Sequence, residues 1–295
     1  MTLTIGFVGL GNMGGPMAAN LVAAGHRVHG HDLAPEALRQ AEAAGVRPAA
    51  SAADAVRDAD VVITMLPAGR HLLAAYGAAL PAARPGTLFV DCSTVDVAEA
   101  RTANARAVQA GHRALDAPVS GGVPGATAGS LTFMVGAAEA DFAAARPVLA
   151  AMGSKVVHCG PPGAGQAAKI CNNMILGISM IAVSEAFVLG ESLGLSHQAL
   201  FDVASTASGQ CWALTSNCPV PGPVPASPAN REYRAGFAAA LMAKDLGLAA
   251  GAAESAGLPV ELGLKAAQLY ADFAADEGAG LDFSAIITTI RENGK

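Results

Sequence analysis

Ile5-Gly-Phe-Val-Gly-Leu-Gly-Asn-Met-Gly14 is a short β-rich run followed by three spaced glycines. A helical pattern continues to about Ala24, where Gly25 stops it, and a second strand, Arg27 to His31, ends in Asp32. The three glycines then serve separate mechanical ends, since Gly9 makes the tight turn, Gly11 lets backbone N–H groups approach a pyrophosphate, and Gly14 permits close helix–strand packing. In this reading Gly9, Leu10, Gly11, Asn12, Met13 and Gly14 hold a dinucleotide at the helix N-terminus. Asp32 accepts hydrogen bonds from the ribose 2′-hydroxyl, and Leu33-Ala-Pro35 supplies no cation for a 2′-phosphate, so NAD is expected ahead of NADP. A plain glycine turn is the alternative, and the strand, helix and acidic residue around the motif weigh against it.

The strand–helix alternation continues outward from this turn. Val61-Val-Ile-Thr-Met-Leu66 and Thr87-Leu-Phe-Val-Asp91 are continuous apolar runs, as expected of parallel strands covered on both faces. The sheet is therefore α/β and doubly wound, of Rossmann type, with ligands outside the carboxyl ends of its strands. Leu66, Pro67 and Thr94 lie at those ends, as cofactor-lining residues or as ordinary strand-end turns. After a helix from about Val95 to Ala110, a strand leads into Asp116-Ala-Pro-Val-Ser-Gly-Gly122 and a glycine-rich stretch to Ser130. This is too long for a simple turn: it is either a concavity of N–H groups suited to a carboxylate, around Ser120, Gly121 and Gly122, or a flexible loop. Strands at 131–136 and 155–158, with a helix between them, complete a first domain, 1–162, closed by Pro161-Pro-Gly163.

Gly163-Ala-Gly-Gln-Ala-Ala-Lys-Ile-Cys-Asn-Asn173 opens a helix running to about Leu193, with Gly194 as its stop. Lys169 and Asn173, four residues apart, share a face. A lysine that begins an otherwise uncharged run is either a snorkelling helix-end residue or a buried group with a chemical role. The second domain, 163–295, is expected to be helical except for 208–228, where prolines exclude regular helix and Trp212 suggests an ordered, packed loop. Its later helices are expected at 237–256, 261–276 and 282–291.

Bulk properties narrow the function. The 295 residues are 52% hydrophobic and 14% charged, against a usual charged share of roughly 25%, and much of the excess is alanine. Long helices of this kind bury a face against a partner chain, so a homo-oligomer is expected. A net charge of −6 argues against nucleic acid. The five cysteines form no C-x-x-C pair, the histidines have no metal-ligand spacing, and no metal is expected. The chain enters its first strand without a basic leader, and the uncharged interval from Lys169 to Glu185 is shorter than a bilayer span of roughly 20 residues. A cytoplasmic protein with no membrane segment, whose long helix is buried in a core, is the expectation.

Four stretches, Phe7 to Met17, Asp116 to Gly122, Gly163 to Asn173 and Leu241-Met-Ala-Lys-Asp-Leu246, resemble the signatures of the β-hydroxyacid dehydrogenases. Gly209-Gln-Cys-Trp-Ala-Leu and Asn217-Cys-Pro-Val-Pro-Gly222 are similar to the branch that acts on 3-hydroxyisobutyrate in valine breakdown. The resemblance spans essentially the whole chain. It implies a Rossmann domain, an all-helical domain reached through one long helix, dimers or tetramers formed through the helical domain, and NAD-linked oxidation of a 3-hydroxy acid to a semialdehyde. Carried over by position, it makes Lys169 the catalytic lysine, puts Ser120, Gly121, Gly122 and Asn173 on the substrate, places Lys244 at both substrate and nicotinamide, and gives Leu66, Pro67 and Thr94 to the cofactor. Trp212 joins the substrate residues as an aromatic face for a methyl group. Serine, glycerate with tartronate semialdehyde, and 4-hydroxybutyrate are the alternative substrates. A 6-phosphogluconate dehydrogenase would need an arginine cluster and a longer helical domain, an imine reductase should lack the lysine, and a non-catalytic NAD-binding regulator would not need it.

Overall fold

Strands and helices alternate through the first part of the chain: β1 (Thr4–Val8), α1 (Gly14–Ala23), β2 (Arg27–His31), α2 (Pro35–Ala43), β3 (Arg47–Pro48), α3 (Ala52–Val56), β4 (Val61–Thr64), α4 (Gly69–Ala79), β5 (Leu88–Asp91), α5 (Val97–Gln109) and β6 (Arg113–Asp116). There follow β7 (Val119–Ser120), α6 (Gly122–Thr127), β8 (Leu131–Gly136), α7 (Glu139–Leu149) and β9 (Gly153–Gly160). The computed structural model describes residues 2–293; Met1, Gly294 and Lys295, the outer ends of the two expected domains, lie outside them. The chain forms two compact units, Met1–Lys169 and Ile170–Lys295.

In the first unit the described strands make one sheet in the order β3-β2-β1-β4-β5-β6-β8-β7, with β9 paired to β8. The six strands from β3 to β6 run parallel, in the order of a doubly wound dinucleotide-binding sheet. Alternation decides which side chain faces which layer. Ile5, Phe7, Val61, Ile63, Leu88 and Val90 join the core on one face, whereas Val8, Val62, Phe89 and Ala114 join the core on the other. Because the chain reverses its winding between β1 and β4, the loops after these neighbouring strands open at one place.

The glycine-rich stretch after Asp116 is more ordered than a loop. Val119 and Ser120 pair antiparallel with Phe133 and Thr132, and α6 winds up directly from Gly122. Gly121 and Gly122 take φ of +133° and +60°, which explains glycine at both positions.

The second unit is helical. The helix α8 (Ala164–Ser192) enters it, followed by α9 (His197–Ala204), the single turn α10 (Trp212–Thr215), α11 (Ala239–Ser255), α12 (Glu261–Ala275) and α13 (Ile286–Asn293). Its core joins Met180 and Phe187 of α8 to Met242 and Leu246 of α11, Tyr270 and Phe273 of α12, and Ile287 of α13. Gly177 lets α8 and α11 approach, since a Cβ there would lie 3.0 Å from the Leu246 side chain. Among the described residues α8 is the one helix long and apolar enough to cross a membrane. The expectation of a buried core helix holds for one face only: Met180, Ile181, Val183 and Phe187 are buried, but Ile175 and Leu189 are exposed. The 208–228 segment is ordered, as expected, but not through its tryptophan. Trp212 is 54% exposed; Ala213, Leu214, Cys218 and Val220 enter the core instead, because small and aliphatic groups fit between the helices where an indole would not.

Candidate active site

The turn after β1 is shaped by its glycines. A Cβ at Gly9 would meet the Met65 carbonyl oxygen at 2.3 Å, and one at Gly14 would meet the Gly9 carbonyl oxygen at 1.9 Å, so both positions exclude any side chain. Gly11 differs: a Cβ there would meet nothing within 4 Å, and with Asn12 it is exposed. Its lack of a side chain is not demanded by the protein's own packing, which fits a backbone kept bare for a ligand. Leu10 is buried, Met13 half-buried. Asp32, at the end of β2, accepts the Leu10 N–H on Oδ2 at 2.6 Å and the Ala34 N–H on Oδ1 at 2.8 Å. A carboxylate has about four lone-pair sites, so acceptors remain for a ribose hydroxyl.

The ends of β4 and β5 form one hydrogen-bonded cluster. The Leu66 N–H donates to Ser93 Oγ at 2.8 Å; Ser93 Oγ in turn donates to Asp91 Oδ1 at 2.6 Å, and Thr64 Oγ1 donates to the same oxygen at 2.7 Å. Burial outweighs these hydrogen bonds and pushes the Asp91 carboxyl up to about 7. Pro67 is exposed and Thr94 half-buried beside this cluster. Immediately after it Asp96 caps α5, accepting the Ala98 and Glu99 N–H groups while Glu99 accepts the Asp96 N–H, which fixes where the turn ends.

Asp116 anchors the start of α8. Its Oδ1 accepts the Gly163 N–H at 2.6 Å and its Oδ2 the Gln166 N–H at 2.8 Å, two of the donors a helix leaves unpaired at its first turn. A Cβ at Gly165 would sit 2.3 Å from the Met134 carbonyl oxygen, which explains the second glycine of this stretch. Burial raises the Asp116 carboxyl above its ordinary range. Lys169 lies in the second turn of α8 and is 7% exposed. It is a buried lysine, not a helix-end one snorkelling into water.

In the second unit Asn173 is buried and donates from Nδ2 to Asp245 Oδ2 at 2.5 Å, while its own Oδ1 accepts from Asn172 at 3.0 Å. The other oxygen of Asp245 lies 3.3 Å from Lys244 Nζ. One buried carboxylate thus connects two of the residues expected at the substrate. Trp212 takes no part in this network, and its segment is ordered separately. Asp282 there accepts Asn217 Nδ2 at 3.1 Å, together with the Gly236 and Phe237 N–H groups at 3.0 Å.

Sequence reasoning overlooked Asp91, Ser93, Asp116, Gln166 and Asp245 as organisers of these clusters. Three carried a legible signal: Asp91 and Asp116 are acidic residues at strand ends, and Asp245 directly follows a lysine.

Comparison with known proteins agrees along the whole chain. Residues 4–160 match the NAD binding domain of 6-phosphogluconate dehydrogenase, and residues 163–290 match the NAD-binding domain of NADP-dependent 3-hydroxyisobutyrate dehydrogenase. A probable 3-hydroxyisobutyrate dehydrogenase of Mycobacterium tuberculosis is 58% identical over 288 residues, 98% of either chain. The human mitochondrial 3-hydroxyisobutyrate dehydrogenase is 44% identical over 291 residues, 98% of this chain and 87% of the human one. The solved structure of the Mycobacterium tuberculosis enzyme with L-serine superposes with a TM-score of 0.96 at 58% identity, covering 99% of this chain and all of that one. With family models matching residues 4–160 and 163–290 and relatives of this closeness, the chain belongs to the β-hydroxyacid dehydrogenases, in their 3-hydroxyisobutyrate dehydrogenase branch, and is an NAD-linked oxidoreductase.

Proposed function

We propose that the enzyme oxidises 3-hydroxyisobutyrate to methylmalonate semialdehyde in valine breakdown, with Lys169 as general acid/base. The observation that carries this reading is Lys169 itself, a buried lysine that begins the uncharged part of α8, with Asn173 one turn further along the same helix. Bound NAD supplies the hydride acceptor. The bare backbone at Gly11, the tight glycines 9 and 14, Leu10, Asn12 and Met13 of the same turn, and the spare lone pairs of Asp32 fit that cofactor, and Leu66, Pro67 and Thr94 would complete its seat.

The substrate carboxylate would be held by Ser120 and the N–H groups of Gly121 and Gly122, which lie at the turn from β7 into α6. Asn173 and Lys244 would hold the substrate's polar groups. As the carbon loses its hydride, the hydroxyl proton passes to the uncharged amine of Lys169, which releases it to solvent after the semialdehyde leaves. Trp212, half-exposed, offers an aromatic face to the methyl group and no carboxylate to an ammonium.

Serine is the second reading, because L-serine accompanies the Mycobacterium tuberculosis relative in its solved structure. A panel of 3-hydroxyisobutyrate, serine, glycerate and 4-hydroxybutyrate, read as kcat/KM with NAD, separates the two. We expect 3-hydroxyisobutyrate to lead serine by roughly 10- to 200-fold, the range for one methyl group in an apolar pocket. A lead by serine or glycerate overturns the substrate and leaves the family standing. We further propose a cytoplasmic homodimer or homotetramer formed through the helical unit, in line with exposed Ile175, Leu189, Leu193, Val203 and Leu262. A monomer by light scattering would refute the oligomer.

A further inference from the structure

Gln166 is fully buried, yet nothing in the reaction above employs it. Its side-chain amide grips one short segment at two points. Nε2 donates to the Ser93 carbonyl at 2.7 Å, and Oε1 accepts the Val95 N–H at 3.2 Å. These two backbone groups flank Thr94. The segment is held on its other side as well, since Ser93 Oγ bonds to Asp91 and receives the Leu66 N–H. Gln166 is itself fixed, because its N–H donates to Asp116 Oδ2. Lys169 follows three residues later on the same helix face.

Filling this space does not require an amide. Methionine has a similar reach, and burying an amide is unfavourable unless its hydrogen bonds are all made. The two-point pairing instead defines both position and orientation of the Ser93–Val95 backbone relative to the first turns of α8. We infer that Gln166 is a positioning residue that sets the spacing between Thr94 in the cofactor turn and Lys169 on α8. The inference rests on the roles proposed above for Thr94 and Lys169.

The test compares Gln166→Met and Gln166→Glu with the unaltered enzyme, measuring NAD binding by calorimetry without substrate, kcat at saturating NAD, and thermal stability. Gln166→Met removes both bonds and leaves the Ser93 carbonyl and Val95 N–H unpaired, so Kd for NAD should rise at least about fivefold and kcat should fall about tenfold. Gln166→Glu keeps the shape and the acceptor. Ionised, it sets a carboxylate against the Ser93 carbonyl; protonated, it donates to that carbonyl as the amide did. Its NAD Kd relative to the unaltered enzyme should therefore be several-fold worse at about pH 8 and return to within about twofold near pH 5.5, because burial raises the new carboxyl.

A purely structural glutamine would give a lowered Tm in Gln166→Met with Kd and kcat both within about twofold, or a Gln166→Glu defect independent of pH; either result overturns the inference. Should Gln166→Met not fold, the pH response of Gln166→Glu decides alone. Lys169→Ala, run in parallel, keeps the two questions apart. A fast Lys169→Ala enzyme removes the lysine's proposed role, whereas a crippled one beside a normal Gln166→Met removes only the role of the glutamine.

Discussion

Asp91 in the first unit and Asp245 in the second are both buried carboxyl groups at the centre of a polar cluster, and Asp245 has the Lys244 ammonium 3.3 Å away. Asp91 gathers Thr64 Oγ1, Ser93 Oγ and the Ser93 N–H on Oδ1, while its Oδ2 is buried with no hydrogen-bond partner among the described residues. Desolvation dominates there and the carboxyl rises to about 7. Asp245 gives one oxygen to Asn173 and the other to Lys244. The difference separates scaffold from chemistry. A carboxyl surrounded by hydroxyls and N–H groups braces two strand ends, whereas Asp245, paired with a cation and an amide, orients two of the residues proposed at the substrate.

On that division the largest effects come from the lysines and their partners. Lys169→Ala should lower kcat by a factor on the order of 10² to 10⁴, the range for a positioned proton-transfer group, with NAD affinity nearly unchanged. Activity within about fivefold of the unaltered enzyme would remove the chemical role. Lys169→Arg keeps the charge but cannot give up its proton, so it should be equally slow; substantial rescue would mean that charge alone is needed.

Asp245→Ala should come next. It leaves the buried Asn173 amide and Lys244 without their shared acceptor, which is worth about 1–3 kcal/mol, or roughly 5- to 150-fold in kcat/KM for the hydroxy acid. If a change at Asp91 reduced kcat/KM as much in a fully folded protein, the contrast between the two carboxyls would be broken. A smaller effect is expected in cofactor choice. Asp32 repels a 2′-phosphate, so kcat/KM with NAD should exceed that with NADP by at least about tenfold, since one unmatched charge contact is worth more than about 1.4 kcal/mol. Equal efficiency with NADP would refute the role given to Asp32.

The two units were not equally legible in the sequence. Parallel strands buried on both faces read as unbroken apolar runs, and a glycine that must lie against a carbonyl oxygen leaves its mark as a glycine; Val61–Thr64, Leu88–Asp91, Gly9 and Gly14 follow directly. Of the proposed site residues, Lys169 and Asn173 stand out because they are polar in an apolar run, and the resemblance supplied most of the rest. The bracing contacts do not stand out. Nothing local tells that Gln166 reaches Val95 or that Asp116 receives the first turn of α8, because those bonds join segments 71 and 50 residues apart. Trp212 misled for a related reason: an aromatic in a proline-rich segment suggests packing, but whether the core has room for it depends on helices far along the chain.

The smallest effect on activity, and the clearest on stability, is expected at Asp91. Its pKa is about 7 in the folded chain against an ordinary value of 3.8, so between those values the native state holds a proton that the unfolded chain has released. Stability from this group is therefore greatest below about pH 4, declines as pH rises, and stops changing above about pH 7. Asp91→Asn removes the titration. Its Oδ1 can still accept from Thr64 and Ser93, and its new Nδ2 takes the place of the unpartnered Oδ2, an unfavourable exchange of about 1–3 kcal/mol that does not vary with pH. The Tm of the variant minus that of the unaltered protein should accordingly rise between pH 4 and pH 8, whatever its absolute sign. Asp116, also raised by burial, is present in both proteins, so its own desolvation cancels from the difference and only its repulsion with Asp91 is lost with the charge. With the hydrogen bonds retained, kcat/KM should remain within about twofold. A Tm difference that is flat or falling with pH would mean that Asp91 is not the protonated brace described above, and a large loss of kcat/KM without loss of fold would move it into the chemistry beside Asp245.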